Sequence, residues 1–159
     1  MKLSINMTKE DLLNYRIDNK SNNLGLKGNK NSEFILSKKV DLFLPEFFDF
    51  LNISYKNISK EFQLKYFRFD YLIKLQDESY LIIELKSSGK DSDFVSGLGQ
   101  LLAYRTMLSC QYQIPIDNIK MALFINKDST ITLSTINDSN IPIVVCSVFD
   151  EGIKLYGKI

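Results

Sequence analysis

Residues 67–86 read FRFDYLIKLQDESYLIIELK, and this stretch decides the fold class. Two runs rich in aliphatic and aromatic residues, RFDYLIKL (68–75) and YLIIELK (80–86), flank the polar tetrapeptide Gln76-Asp77-Glu78-Ser79. Short apolar runs joined by such a turn signal predict two antiparallel strands. The preceding residues EFQLKYF (61–67) alternate polar and apolar, which adds an earlier strand to the same meander. The run 80–86 has no polar face until its end, the pattern of a strand covered on both sides.

Outward from this meander the period changes from two to about 3.6. Ser32-Glu33 marks a helix start, with Phe34, Ile35, Leu36, Val40, Phe43 and Leu44 at roughly helical spacing. Pro45 ends or kinks that helix, or begins another over PEFFDFLN. On the other side, Ser87 to Asp91 reads as a loop and Asp93 to Ser109 as a helix. Its apolar side consists of Phe94, Leu98, Leu101, Leu102 and Leu108. Strands follow at Lys120–Asn126 and Ile141–Phe149. The order helix, three strands, helix, two strands predicts an α/β fold, a central mixed sheet of four to five strands flanked by helices.

The chain has 159 residues, 45% hydrophobic and 25% charged, which suits one folded domain over 1–159. Residues 18–32, DNKSNNLGLKGNKNS, bury little, so 1–31 reads as a polar arm and 32–159 as the core. Thr8 to Asp11 opens a short helix over Leu12, Leu13 and Tyr15. The segment MKLSINMTKEDLL lacks the apolar centre of a signal peptide, and no apolar run approaches a membrane span. A cytoplasmic protein with no membrane partner is expected.

Net charge is +1, which neither points to nucleic acid nor excludes it, because binding needs only a local basic patch. There is no histidine. That removes Ser-His and Cys-His catalysis and histidine-ligated zinc. Cys110 and Cys146 lack a metal-site spacing; Cys146, in an apolar run, reads as a core thiol. Any chemistry falls to carboxylates, Lys, Tyr, Ser or the cysteines.

Three residues break the apolar strands: Asp70 in the first, Glu84 and Lys86 in the second. An unpaired charge on a buried strand is costly, so their presence asks for a reason. Alternation puts Glu84 and Lys86 on one side of their strand, and a short turn can bring Asp70 beside them. Two carboxylates next to an ammonium suit phosphodiester hydrolysis. The carboxylates, with the Leu85 carbonyl as a further ligand, hold Mg²⁺ or Mn²⁺, and the lysine steadies the developing charge.

The pattern Asp70-(x13)-Glu84-Leu85-Lys86 resembles the PD-(D/E)XK nuclease superfamily, with Phe69 in place of the usual proline. Downstream, Gly97-Leu-Gly-Gln100-Leu-Leu-Ala-Tyr104-Arg105 resembles the Q-x3-Y helix motif of a subset. That subset includes RecB-like nucleases, type I restriction nuclease domains and NucS-like endonucleases. The resemblance covers about residues 60–105 and implies a restriction-endonuclease-like core. It implies Asp70 and Glu84 as metal ligands, Lys86 as catalytic, and Gln100 and Tyr104 as supports beside the metal. It also implies a glutamate on the first helix. Glu33 is the candidate, because Lys27-Gly-Asn-Lys30-Asn-Ser-Glu33 is similar to the entry of that helix in archaeal Holliday-junction resolvases. Glu46 and then Glu61 are its competitors.

Plainer readings stand beside these. Glu-x-Lys at a strand end is commonly a solvated ion pair, and Glu33 a first-turn acid facing the helix dipole. Lys90 and Arg105 flank the proposed centre and are candidates for phosphate contact. Lys27, Lys30 and the pair Lys38-Lys39 are candidates too, against a solvated surface. Tyr66, Phe67, Phe69 and Tyr71 read as sheet packing, with base stacking as the alternative. The expectation is a metal-dependent DNA endonuclease selective for DNA structure. It is expected to act as a homodimer, or with a protein partner that supplies specificity. The rivals are a non-catalytic DNA-binding or assembly module on a nuclease-like fold, and an unrelated sheet protein whose acids do not converge.

Overall fold

The computed structural model describes residues 30–88, 90–126, 136 and 140–159. Lys27 and the short helix expected near residues 8–15 lie outside the described residues, as does the Lys30 side chain. The elements run α1 (Lys30–Leu51), β1 (Tyr55–Leu64), β2 (Phe67–Leu75), β3 (Tyr80–Lys86), α2 (Asp91–Tyr112), β4 (Ile119–Ile125), β5 (Ile143–Val148) and β6 (Ile153–Gly157). They form a six-stranded sheet ordered β1-β2-β3-β4-β5-β6. Neighbours β1/β2, β2/β3 and β5/β6 are antiparallel, and β3/β4 and β4/β5 are parallel. A parallel step needs a crossover, and α2 supplies the one from β3 to β4.

The expected α/β architecture with a mixed sheet is therefore present, with six strands in place of four to five. The extra strand is β6, which returns after Asp150-Glu151-Gly152, where the Phe149 N–H donates to the Gly152 carbonyl at 2.8 Å. Its five residues are too few to stand out by periodicity. β1 also begins at Tyr55, six residues before the expected Glu61. Its hairpin to β2 turns on Lys65, at φ 52°, rather than on a glycine or asparagine. Gln63 Nε2 donates to the Lys65 carbonyl at 2.7 Å and holds that turn.

Pro45 neither ends α1 nor starts a new helix; it lies inside the 22-residue helix. Proline removes one helical donor, the bond that would reach the Asp41 carbonyl. Packing offsets this, since Leu36, Val40, Leu44, Phe47 and Phe48 form one buried stripe against the sheet. That stripe meets Tyr71, Ile73, Leu81, Ile83, Phe124, Val144 and Cys146. On the other face, Phe94, Leu101, Tyr104 and Leu108 of α2 meet Phe69, Ile82, Met121, Leu123 and Val145. One helix thus covers each face, and β3 is buried from both sides, as its sequence requires.

Candidate active site

Residues of equal parity on a strand share a face, yet Phe69 and Tyr71 do not. Phe69 packs with α2, its ring 4.8 Å from that of Tyr104. Tyr71 packs with α1, where its hydroxyl donates to the Asp41 carboxylate. The pleat is interrupted at the residue between them, Asp70. The β1 residue opposite, Glu61, lies at φ 52°, outside the extended region, on the partner strand. On the other side, the pairing of β2 with β3 stops at Tyr71 and Ile83. There the Asp70 side chain replaces a main-chain acceptor: its Oδ2 accepts the Leu85 N–H at 2.8 Å.

This parting of β2 from β3 sets Asp70 beside Glu84, where each carboxyl group acts on the other. Glu84 is only 5% exposed. Lys86, two residues on and on the same face, places its Nζ 3.1 Å from Glu84 Oε1. Burial, then the Asp70 charge, pushes the Glu84 carboxyl up to about 8, against the opposing pull of Lys86. Burial also raises Asp70, against the Leu85 N–H, Glu84, Lys86 and Arg68. Both shifts favour a proton held on this pair.

Helix α2 closes over this pair from the same face. Gly97 lets it approach, because a Cβ there would lie 2.6 Å from Leu123 Cδ1 and 3.1 Å from Lys86 Cγ. One turn later Gln100 donates from Nε2 to the Tyr104 hydroxyl at 3.4 Å. Burial and then Glu84 raise the Tyr104 hydroxyl above its usual value, with Asp70 adding to the effect. Gln100 Oε1 is buried without a hydrogen-bond partner among the described residues.

Asp70, Glu84 and Lys86 thus come together at the end of β3, and Tyr104 of α2, with its partner Gln100, lies within their influence. The other sequence candidates stand outside this set of contacts. Glu33 is exposed on the first turn of α1; its neighbour Ser32 donates to Ser87 Oγ at 3.2 Å, just past β3. Glu46 is exposed within α1 and acts on Cys146, whose buried thiol is raised mainly by desolvation. Glu61 is exposed on β1, not on a helix. Arg105 is committed to structure: its Nε donates to the carbonyls of Ile116 and Ile119 at 3.2 and 2.9 Å. Lys39 pairs with Asp150 at 2.6 Å, and Lys38 lies over the Phe34 ring. Lys90 is exposed at the start of α2.

Two features escaped the sequence reading. Arg68, exposed two residues before Asp70, acts on that carboxylate; its position was visible, but the broken pleat that turns Asp70 was not. Behind the site, the buried Asp41 also accepts from Lys60 Nζ at 2.9 Å. With Tyr71 it ties β1 and β2 to α1 directly behind Asp70. No periodicity signals such a cluster, because its members come from three elements.

The donor set fits a hard divalent cation. Among the described residues no group of three or more acidic, cysteine or histidine side chains could hold a metal. Magnesium needs less, since it keeps several waters and binds through one or two carboxylates. Asp70 and Glu84 supply two, and Gln100 Oε1 is a buried acceptor that a metal-bound water would satisfy.

No family model and no curated protein matches the chain. Among solved structures it is similar to EndoMS in a complex with double-stranded DNA, at 13% identity and TM-score 0.49, covering 70% of this chain and 46% of that one. It is similar to a repair endonuclease from Pyrococcus abyssi, at 14% identity and TM-score 0.46, covering 65% and 45%. It is also similar to an XisH family protein from Nostoc punctiforme, at 16% identity and TM-score 0.44, covering 77% and 99%. The chain spans less than half the length of the first two. Among the described residues no helix is long and apolar enough to cross a membrane.

Proposed function

We propose that this chain is a nuclease of the PD-(D/E)XK type that hydrolyses DNA phosphodiester bonds with Mg²⁺ or Mn²⁺. One observation supports this above the rest: the buried Glu84 carboxyl beside the part-buried Asp70 carboxyl, with an ammonium 3.1 Å from Glu84. Burying like charges side by side raises the free energy of the fold. A divalent cation in place of a proton on the pair turns that cost into binding.

Asp70 and Glu84 would hold the metal, with the Leu85 carbonyl as a further ligand. The bound ion would polarise the scissile phosphate and acidify a water. Lys86, fixed beside Glu84, stabilises negative charge that develops on the phosphoryl oxygens. Tyr104 stays a neutral hydroxyl donor at physiological pH, and Gln100 orients it. Lys90 contacts a flanking phosphate.

The test is incubation of labelled single-stranded, duplex, flap and four-way-junction DNA with Mg²⁺, Mn²⁺ or EDTA. Cleavage that needs the metal supports the reading. Absence of cleavage on every substrate, with DNA bound, overturns it in favour of a binding module.

A further inference from the structure

The tip of the β1–β2 hairpin has a composition that folding does not explain. Tyr66 is 94% exposed. Sheet packing was the expectation for it, and it makes none. A tyrosine is amphipathic and normally covers its ring. Here the turn presents that ring to water, with Lys65 in a left-handed conformation and its carbonyl bound by Gln63 at 2.7 Å. Lys65 and Arg68 on either side are exposed cations, and no ion pair engages either among the described residues.

The tip is coupled to the candidate centre. Phe67, next to Tyr66, packs edge-on to Tyr104 with centroids 5.7 Å apart. Arg68 acts on Asp70. Tyr66 lies four residue steps before Asp70, about 13 Å at ~3.3 Å per step. Stacked nucleotides rise ~3.4 Å each, so this reach corresponds to about four nucleotide steps.

We infer that the hairpin tip is a single-strand binding element, with Tyr66 stacking on an unpaired base and Lys65 and Arg68 meeting the adjoining phosphates. The inference rests on the nuclease reading above and assigns its substrate class: DNA unpaired about four nucleotides from the bond that is cut. An exposed aromatic flanked by cations is how single strands are held without sequence preference. A base inside a duplex offers no free face to such a ring.

The chain has no tryptophan, so Tyr66→Trp supplies a unique indole that can still stack. The experiment titrates this variant with single-stranded and with blunt duplex oligodeoxynucleotides in EDTA, following fluorescence. Phe50→Trp, at an exposed position on α1, is the control. In parallel, Tyr66→Ala and wild type are compared by anisotropy of labelled single strand. The expected result is quenching by single strand and little by duplex at position 66, none at position 50, and about tenfold weaker single-strand binding for Tyr66→Ala. An indole at position 66 that is unquenched by single strand, or Tyr66→Ala binding as wild type, overturns the proposal. Because EDTA prevents cleavage, this outcome is independent of whether the chain is a nuclease.

Discussion

The Asp70 carboxylate accepts the Leu85 N–H at 2.8 Å, at the point where β2 and β3 cease to pair. A side chain at that position has two tasks: it completes the main-chain hydrogen bonding of β3 and it presents an oxygen beside Glu84. The two tasks separate by substitution. Asp70→Asn keeps an acceptor for Leu85 and removes a buried charge, so its metal-free stability should equal or exceed that of wild type. Asp70→Ala orphans a part-buried donor and should be less stable than Asp70→Asn by about 1–3 kcal/mol. Both should lose cleavage. Urea denaturation of the three proteins checks the order.

Glu84 dictates a pH dependence. Its carboxyl ionises at about 8 in the fold against an ordinary 4.5. A group held protonated by the fold stabilises it fully in acid, and that contribution is lost as pH rises from about 4.5 to about 8. Glu84→Gln keeps a neutral side chain throughout. It should therefore raise the melting temperature of the metal-free protein at pH 8.5 and change it little at pH 4.5. A gain on the order of 2 kcal/mol corresponds to roughly 4–8 °C. Thermal melts in EDTA at the two pH values decide the matter.

The same proton should appear on metal binding. Ligating carboxylates must be ionised, so the metal displaces the proton that Glu84 holds near neutral pH. Mn²⁺ titrations at pH 7 in buffers of different ionisation enthalpy should report release of close to one proton. Lys86→Met removes the cation that holds Glu84 down and should move the pH midpoint of binding upward. A calorimetric heat independent of buffer would show that the metal binds elsewhere.

Gly97 and Gly99 make a controlled pair on α2. Alanine at an exposed helical glycine gains up to about 1 kcal/mol. Gly99→Ala meets nothing within 4 Å and should gain stability. Gly97→Ala meets Leu123 at 2.6 Å and the Lys86 stem at 3.1 Å in a packed core. Overpacking there costs about 1–3 kcal/mol, so the net change should be destabilising. It should also slow cleavage by displacing Lys86, which Gly99→Ala should not. Melting temperatures and single-turnover rates of both variants check this.

The meander, both helices and strands β4 and β5 were legible because each sums many weak local preferences. Asp70, Glu84 and Lys86 stood out for one reason, charge on an apolar strand, which needs no knowledge of long-range packing. What the residues concealed depends on contacts distant in sequence. The continuous helix through Pro45 follows from the stripe it buries, not from the local cost of proline. The turn at Lys65 uses a conformation that lysine seldom signals. Arg105 read as a free cation because nothing local announces that its guanidinium bonds the carbonyls of Ile116 and Ile119. Tyr66 read as packing because strand propensity cannot distinguish a ring in the core from one at the tip of a hairpin.

The most direct measurement of the central claim is the single-turnover cleavage rate of one labelled DNA substrate by wild type, Asp70→Asn and Lys86→Ala, each with Mn²⁺ and with EDTA. The account predicts cleavage by wild type in Mn²⁺, none in EDTA, and a loss of at least a hundredfold, ~2.7 kcal/mol, in each variant while each keeps its wild-type melting temperature or better. Cleavage by Asp70→Asn at the wild-type rate, or wild-type cleavage that persists in EDTA, would contradict it.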